Sequence, residues 1–279
     1  MTAPVAPMKS VGKRLGIIAG NGRFPLLVAQ EARKQGCWIA AVAHEGETSK
    51  ELEPLVDEVE WIRVGQLGRM IKSFQRAAVR DVVMAGGITK TRLFTDVRPD
   101  LRTLALLATL RAKDDDSILR LLAGELEREG LVVRDATDYL QSLLASAGAM
   151  THRRPTSEEE ADIAYGWGVA KEIGRLGIGQ CIVVKHKVIL AVEATEGTDA
   201  TVRRGSALAH GGAVVIKVSK PGQDRRFDLP AIGPGTIEIM AETGSTVIAV
   251  EAGSSLLLDR EELLRKADDA RIAVIGVSA

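Results

Sequence analysis

The sequence predicts an α/β protein with two domains, the first of them built on a parallel sheet. In the first half, short apolar runs alternate with segments of helical period, which is the pattern of βαβ units. Glycine-marked loops follow three of these apolar runs, at points where a strand turns into a helix. A polar stretch near residue 150 then separates this half from a second set of helices and strands. The 279 residues, 46% of them hydrophobic, suffice to bury a core in each domain.

The charge balance and the cysteines restrict the class of protein. The chain has 37 basic and 37 acidic side chains, so a nucleic-acid-binding surface is not expected. Cys37 and Cys181 lie far apart within apolar runs, as buried thiols of a reduced protein do, and there is no zinc motif. No apolar run approaches the roughly 18 residues that a membrane span needs. These features predict a soluble, cytoplasmic protein, unless it rests on a membrane surface as a peripheral protein.

The elements of the first half follow one another in regular order. Residues 1–13 are expected to be a loose tail, and Pro25 occupies a tolerated position in the first turn of the first helix. Strands are expected at 15–19, 38–43, 61–64 and 82–85, and helices at 24–35 and 67–77. This alternation predicts a Rossmann-like sheet, in which the loops at the carboxyl ends of the strands form the ligand crevice.

The loops GNGR, GQLGR and GGITKTR all lie at that carboxyl edge. A glycine turn before a helix can receive a phosphate on its free N–H groups. GNGRFP does not match the dinucleotide pattern GxGxxG, so a tight turn without a ligand remains the alternative. The residues expected to line a shared substrate-binding rim are Gly20, Asn21, Gly22, Arg23, Gln66, Arg69, Thr89, Lys90 and Arg92.

The rest of the first half ends in a linker. Helices are expected at 101–112, 118–129 and 137–145, with a short strand at 131–133. Residues 150–156 contain Pro155 and two arginines and are interpreted as the linker. The predicted domains are therefore 14–149 and 157–279, and the second is expected to be the smaller α/β domain.

A helix from Ser157 to Leu176 is expected to begin the second half, with three glutamates in its first turn, where the helix dipole favours them. The apolar runs 182–184 and 188–192 flank Lys185-His186-Lys187, which predicts a hairpin or two paired strands. Further strands are expected at 213–218, 247–250, 256–258 and 272–277, and helices at 236–243 and 260–270.

Acidic residues gather directly after this predicted hairpin. Three carboxylates fall within seven residues: Glu193, Glu196 and Asp199. Gly197 permits a sharp bend there, and Thr198 is able to cap a following helix. Carboxylates at such a turn suit a hard cation with oxygen ligands, and the paired Arg203 and Arg204 suit phosphate oxygens. The hypothesis is a divalent cation with a phosphorylated substrate, and the alternative is an ordinary solvated loop.

Six segments have the order and spacing of one known family: LGIIAGNGRFPLL, VGQLGRMIK, MAGGITKTRLF, RPDLRTLALL, AVEATEGTDA and KPGQDRRFDLPAIGPGTIE. On these segments the chain resembles the LpxI family of UDP-2,3-diacylglucosamine pyrophosphatases, from about Leu15 to the C-terminus. The resemblance implies a two-domain cytosolic enzyme of lipid A biosynthesis that uses Mg²⁺ to split its substrate into UMP and diacylglucosamine 1-phosphate. It also implies that water attacks the β-phosphorus and that the lipid product lies between the domains.

Such a hydrolysis requires positive charge at the nonbridging oxygens, a metal at the leaving phosphate and a group that positions water. The basic side chains that suit the first task are Lys217, Arg204 and Arg225. Asp228 and Glu193 are the first candidates for metal binding or water orientation, and with Lys217 they form the expected catalytic set. The remaining candidate metal ligands are Glu196, Asp199 and Asp224. Each has a structural alternative, such as opening a turn in the case of Asp228.

Two other classes of function stay open. A nucleotide-sugar oxidoreductase would use the GNGR turn, although no pattern for a dinucleotide is present and no nucleotide cofactor is expected. A noncatalytic protein whose two domains close on an anionic metabolite fits the sequence as well. The expected cofactor is Mg²⁺, with Mn²⁺ as a substitute, and the expected partner is a lipid-linked UDP-sugar. The sequence leaves open a homodimer and transient contact with the inner membrane surface.

Overall fold

The computed structural model of the protein describes residues 13–89, 98–109, 115–222, 224–227 and 229–278. The chain divides into two compact units, Met1–Leu140 and Gln141–Ala279. The units are nearly equal in length, whereas the sequence analysis expected a smaller second domain. Both combine helices with a sheet, so the predicted α/β class and the two-domain layout are confirmed.

The first unit contains a five-stranded sheet in which every described pairing is parallel. Its strands are β1 (Arg14–Ala19), β2 (Trp38–His44), β3 (Glu58–Ile62), β4 (Asp81–Ala85) and β5 (Val132–Val133), in the order β3-β2-β1-β4-β5. The central strands are almost fully buried, as expected for continuous apolar runs covered on both faces. β3 lies at the edge of the sheet and is half exposed, so it contains charged residues. For this reason its start at Glu58 was not predicted, and the strand was expected only from residue 61.

The α-helices that the structure describes in the first unit are α1 (Phe24–Lys34), α2 (Leu67–Arg76), α3 (Leu101–Leu107) and α4 (Asp115–Arg128), and a 3₁₀ helix spans Lys50–Leu55. The helix predicted at 137–145 is wrong. Two short 3₁₀ helices, Ala136–Asp138 and Gln141–Leu143, stand there instead. The Asp135 carboxylate accepts from the backbone N–H of Thr137 and fixes a tight turn, while Ala145 N donates to Ser255 O in the second unit's fold. Contacts distant in sequence therefore replace the local helical bonds.

The second unit is organised around a six-stranded mixed sheet. Its strands are β6 (Gly148–Ala149), β7 (Cys181–Lys185), β8 (Val188–Val192), β9 (Ala213–Lys217), β11 (Ser245–Glu251) and β13 (Ala273–Val277), in the order β6-β13-β11-β9-β7-β8. β9, β11 and β13 are parallel, and β7 runs antiparallel to both of its neighbours. Two short strands, β10 (Ala231–Ile232) and β12 (Leu256–Leu257), form a separate parallel pair.

The predicted hairpin of β7 and β8 is confirmed. His186 and Lys187 in its turn have φ of 51° and 58°, a conformation that costs energy for residues with a side chain. Asp162 offsets this cost because its two carboxylate oxygens accept from both backbone N–H groups, at 2.9 and 2.6 Å. The turn is thus held by a residue twenty-four positions earlier in the chain.

Helices cover both faces of the second sheet. They are α5 (Ser157–Arg175), α6 (Thr198–Ala209), α7 (Pro234–Thr243) and α8 (Arg260–Asp269). α5 packs on one face, against Ile216 and Ala249, while α6, α7 and α8 pack on the other, against Val215 and Val250. Among the helices that the structure describes, none is long and apolar enough to cross a membrane.

The residues that were interpreted as a linker make contacts within the second unit. Met150 N donates to Val274 O, and Val274 N donates to Thr151 Oγ1. Arg153 forms two hydrogen bonds with the Glu159 carboxylate, and Thr156 forms a capping box with the same glutamate at the start of α5.

Candidate active site

Polar residues of the second unit meet at the carboxyl edge of its sheet. Lys217 is the last residue of β9, and Glu193 directly follows β8, which runs in the same direction as β9. Both side chains are buried, with only 7% of each residue exposed. Two groups that are 24 positions apart in sequence are thereby brought to one edge, as predicted for the carboxyl ends of strands.

A threonine hydroxyl connects these two groups. Lys217 Nζ lies 3.0 Å from Thr198 Oγ1, and that hydroxyl donates to Glu193 Oε1 at 2.9 Å. The other carboxylate oxygen of Glu193 accepts from Gln180 N at 3.2 Å. A hydroxyl both accepts and donates, so Thr198 satisfies an ammonium on one side and a carboxylate on the other. Thr198 was predicted to be able to cap the next helix, but Gly197 holds the N-cap position and Thr198 is the first residue of α6.

Cys181 is buried in the neighbourhood of this network. Burial raises the pKa of the Cys181 thiol to about 12, and the nearby positive charge of Lys217 offsets only part of that rise. The thiol is therefore protonated near neutral pH, and it is not a nucleophile or a metal ligand under those conditions. This agrees with the interpretation of Cys181 as a small buried residue.

Glu196 and Arg204 are paired with each other. Arg204 Nη2 donates to Glu196 Oε1 at 2.7 Å and to Val192 O at 2.9 Å. Hydrogen bonds from its own backbone N–H, from Arg204 and from Ala194 N lower the pKa of Glu196 to about 2. These contacts stabilise the turn between β8 and α6. They use hydrogen-bonding groups of Glu196, which was predicted to bind a metal, and of Arg204, which was predicted to bind phosphate.

The other candidate carboxylates also have protein partners. Thr236 Oγ1 lies 3.3 Å from Asp199 Oδ1, which brings together the first turns of α6 and α7. Asp224 accepts from Arg226, with Nε at 3.0 Å from Oδ1 and Nη2 at 2.8 Å from Oδ2. Arg225 donates to Gly253 O at 3.2 Å.

Among the residues that the structure describes, no group of three His, Cys, Asp or Glu side chains is placed to hold a metal ion. The described carboxylates Glu193, Glu196, Asp199 and Asp224 thus do not assemble into a cation site among themselves. Asp228, the first candidate, lies outside the described residues, as do Lys90 and Arg92.

In the first unit, the loops after β1, β2 and β4 meet at one edge. Asn21 Nδ2 donates to Glu47 Oε2 at 3.0 Å, and Thr89 Oγ1 donates to the same oxygen at 2.9 Å. Gly87 N donates to Asn21 Oδ1 at 3.3 Å. β1 and β4 are neighbours at the position where the strand order reverses, which is where open parallel sheets place ligands. Asn21 and Thr89 were expected at this rim, and Glu47 was missed.

Packing explains the glycine at the start of this crevice. A Cβ atom on Gly20 would lie 2.2 Å from Gly87 O, so no larger residue fits between the two loops. Gly22 has φ of 78° and open space around its Cα, so its requirement is the backbone conformation alone. The motif therefore serves loop packing, whether or not a ligand binds beside it.

Gln66 belongs to a different loop from this cluster, and Arg23 lies at the start of α1. Gln66 follows β3, two strands from β1, and its Oε1 accepts from Arg63 N at 2.9 Å. Arg23 is the N-cap residue of α1 and uses no side-chain cap hydrogen bond. Among the described residues, the bond between Gly87 and Asn21 joins the first and last of the glycine-marked loops, and Gln66 bonds within its own loop.

Two polar residues of these sites, Gln180 and Glu47, were not predicted from the sequence. Thr198 was named, but its bridging role was not predicted. Thr198 offered a signal, because it lies between the carboxylates of a βα turn. Gln180 and Glu47 offered none, since they act through pairings between distant segments.

The fold and these sites define a two-domain α/β protein with polar clusters at the carboxyl edges of its two sheets. The chain belongs to the LpxI family: the LpxI N-terminal domain matches residues 14–143 and the LpxI C-terminal domain matches residues 146–275. It is 35% identical over 278 residues to the UDP-2,3-diacylglucosamine pyrophosphatase LpxI of Caulobacter vibrioides, and the match covers 95% of this chain and 98% of that protein. The family resemblance inferred from the sequence motifs is thereby confirmed.

Similarity to solved structures is weak by comparison. The biotin carboxylase subunit of pyruvate carboxylase is 14% identical, with a TM-score of 0.26 over 65% of this chain and 35% of its own. Phosphoribosylglycinamide synthetase from Anaerococcus prevotii is 13% identical, with a TM-score of 0.25 over 68% of this chain and 34% of its own. The chain thus spans about a third of each of these structures, and similarity at this level says nothing about its activity.

Proposed function

We propose that the protein hydrolyses the diphosphate of UDP-2,3-diacylglucosamine to UMP and 2,3-diacylglucosamine 1-phosphate, a step of lipid A biosynthesis. The observation that carries this proposal is the match to a named pyrophosphatase over almost the full length of both chains, with both family domains in order. The activity is a hydrolysis of a phosphoric anhydride, so the protein is an enzyme.

The geometry of the first unit supports a Rossmann-like role for that sheet. Its order β3-β2-β1-β4-β5 is that of a doubly wound nucleotide-binding sheet, with the reversal between β1 and β4. The loops there carry Asn21 and Thr89, which supply amide and hydroxyl groups for a nucleotide or a sugar phosphate. The proposed substrate-binding set keeps Gly20, Asn21, Gly22, Arg23, Gln66, Thr89, Lys90, Arg204 and Arg225.

In the proposed reaction, water attacks the β-phosphorus. The bond from that phosphorus to the bridging oxygen breaks, and its electron pair leaves with UMP. Asp228 is proposed to orient the water, while Lys217, which Glu193 contacts through Thr198, holds the adjoining backbone in place. Lys217 supports this assignment because its Nζ donates to Ala231 O at 2.7 Å, three residues after Asp228.

Mg²⁺, with Mn²⁺ as a substitute, is part of the proposal because the family resemblance implies it. Bound to the diphosphate, a divalent cation would neutralise developing charge on the leaving group. The described carboxylates form no cluster that fits it, so no ligand among them is assigned and no step is routed through the metal.

The lipid part of the substrate requires apolar surface, and α3 offers some. Leu101, Leu104 and Leu107 are 87%, 50% and 42% exposed, and they recur at every third residue, so they lie close together along one side of the helix. We propose that this stripe contacts the acyl chains of a substrate taken from the inner membrane surface. The protein itself is proposed to be cytoplasmic, with at most peripheral contact with that membrane.

The deciding experiment is incubation of the purified protein with UDP-2,3-diacylglucosamine and Mg²⁺ in ¹⁸O-labelled water. The expected products are unlabelled UMP and lipid phosphate that carries one ¹⁸O atom. Label in UMP would overturn attack at the β-phosphorus, and substrate that binds without turnover would favour a noncatalytic anion-binding protein. Oxidation or reduction of the sugar by NAD(P) would favour the oxidoreductase.

A further inference from the structure

A second polar feature lies within the second unit, at the same carboxyl edge but on the opposite face of the sheet. It is a pocket of about 220 Å³. Its lining residues are Lys171, Ser219, Lys220, Pro221, Gly222, Arg225, Leu229, Pro230, Glu251 and Ser254. Because side chains alternate along a strand, Lys217 shares the face of Val215, towards α6 and α7, whereas Glu251 shares the face of Ala249, towards α5. The pocket is therefore distinct from the Lys217 network.

Positive charge predominates in this pocket. Among the residues that the structure describes, three basic and one acidic line it, which gives these residues a formal charge of +2. The acid, Glu251, is 7% exposed, and its Oε2 accepts from Lys171 Nζ at 2.6 Å and from Ser219 N at 3.0 Å. Lys171 Nζ also donates to Ser219 O at 3.2 Å. Glu251 thus holds the ammonium in place without cancelling the excess of positive charge.

Unused hydrogen-bonding capacity remains in the pocket wall. An ammonium has three N–H donors, and the structure gives Lys171 two oxygen acceptors. Ser219 Oγ is buried and has no hydrogen-bond partner among the described residues. A buried hydroxyl without a partner is unfavourable, so its retention here points to a partner that arrives with a ligand.

We propose that this pocket binds one phosphate group of a phosphomonoester or diphosphate, with Lys171, Lys220, Arg225 and the Ser219 hydroxyl as its donors. The proposal rests on the proposed function, whose substrate and products all carry phosphate. The volume agrees with it, because pockets that enclose whole small ligands span about 300–1,000 Å³, and this one suits a single charged group. Leu229 and Pro230 line the pocket directly after Asp228 in the chain, so the phosphate is held beside the segment proposed to orient water.

Titration calorimetry of the full-length protein with three soluble probes tests this proposal. The probes are inorganic pyrophosphate, UMP and glucosamine 1-phosphate. Lys220→Gln is expected to raise the dissociation constant of at least one probe tenfold or more. Arg265→Gln, which removes the same charge from an exposed position on α8, is the matched control and is expected to change it less than twofold. The probe whose affinity depends on Lys220 identifies which phosphate occupies the pocket.

Ser219→Ala separates a binding role from a structural one. Removing an unpartnered hydroxyl is expected to leave the melting temperature unchanged or raise it, while the affinity for that probe falls severalfold. Equal weakening by Lys220→Gln and Arg265→Gln, or unchanged affinity in both pocket variants, would overturn the phosphate site. If these results overturn the phosphate site while the protein still releases UMP, the proposed function stands. Pocket-dependent binding without UMP release overturns the function alone.

Discussion

Lys217 Nζ donates a hydrogen bond to the backbone oxygen of Ala231 at 2.7 Å, and this contact ties the end of β9 to β10. The same ammonium lies 3.0 Å from Thr198 Oγ1, so one buried group connects the start of α6 with the segment that follows Asp228. A buried charge needs hydrogen bonds to replace its lost hydration, and these two contacts supply them for Lys217. We therefore expect Lys217 to act as a positioning residue, with an effect on catalysis that passes through the backbone it holds.

Asp228→Ala is expected to lower kcat by several orders of magnitude and to leave substrate binding largely intact. Pro230 fixes its own φ and restricts Leu229 to extended conformations, so the carboxylate is attached to a stiff segment. Loss of a group that acts mainly in the transition state reduces turnover without removing the contacts to uridine, phosphates and acyl chains. The mutant is also expected to copurify with uncleaved substrate. A folded Asp228→Ala protein with normal turnover would show that Asp228 only shapes a turn.

Thr198→Val is expected to lower the free energy of unfolding by about 1–3 kcal/mol, because it leaves two buried polar groups short of a partner. It is also expected to lower kcat more than it raises KM, since the segment held by Lys217 loses its alignment. Thr198→Ser keeps the hydroxyl and is expected to restore both quantities. Urea denaturation and steady-state UMP release measure them, and equal effects of valine and serine would exclude a bridging role for the hydroxyl.

Removal of divalent cations is expected to abolish UMP release, and Mg²⁺ or Mn²⁺ is expected to restore it. The reason is that a diphosphate needs cationic charge at its leaving group. EDTA treatment followed by metal titration is the measurement, with Ca²⁺ as a comparison ion of the same charge. Full activity after thorough chelation would remove the metal from the mechanism.

Glu196 is expected to make stability depend on pH in the acid range. Its pKa is lowered from 4.5 to about 2 by hydrogen bonds from its own N–H and from Arg204, so the folded state favours the ionised form. The resulting stabilisation is fully present above about pH 5 and is lost as the pH falls towards 2. Glu196→Gln is therefore expected to be less stable than the parent at pH 7 and equally stable near pH 2. The control Glu242→Gln removes the same charge from a surface pair, and an equal pH dependence there would contradict the assignment.

Leu104→Ser is expected to lower kcat/KM for the diacylated substrate, because it removes half-exposed apolar surface from the stripe on α3. A soluble analogue without acyl chains separates the lipid contact from the chemistry, and its turnover is expected to be unchanged. Leu208→Ser, at a leucine that is 58% exposed on α6, is the matched control. Equal losses for the substrate with and without acyl chains would place Leu104 in a structural role.

The sequence predicted those elements whose signal is local. Continuous apolar runs predicted β1, β2 and β4, because strands covered on both faces carry apolar residues throughout. The hairpin of β7 and β8 was predicted because its apolar runs flank a short polar turn. The helix predicted at 137–145 was wrong, since its pattern competes with a local Asp135 cap and with pairing to Ser255.

The candidate site, too, was predictable from the sequence only in part. Sequence by itself determined the family, the α/β class and the carboxyl edges at which polar residues would gather. Only the tertiary structure decided that Glu193 meets Lys217 through Thr198, and that Arg204 pairs with Glu196. The physical reason is that a charged side chain in a sequence has many potential partners, and burial leaves it only those that the packing of distant strands and helices brings within about 3 Å.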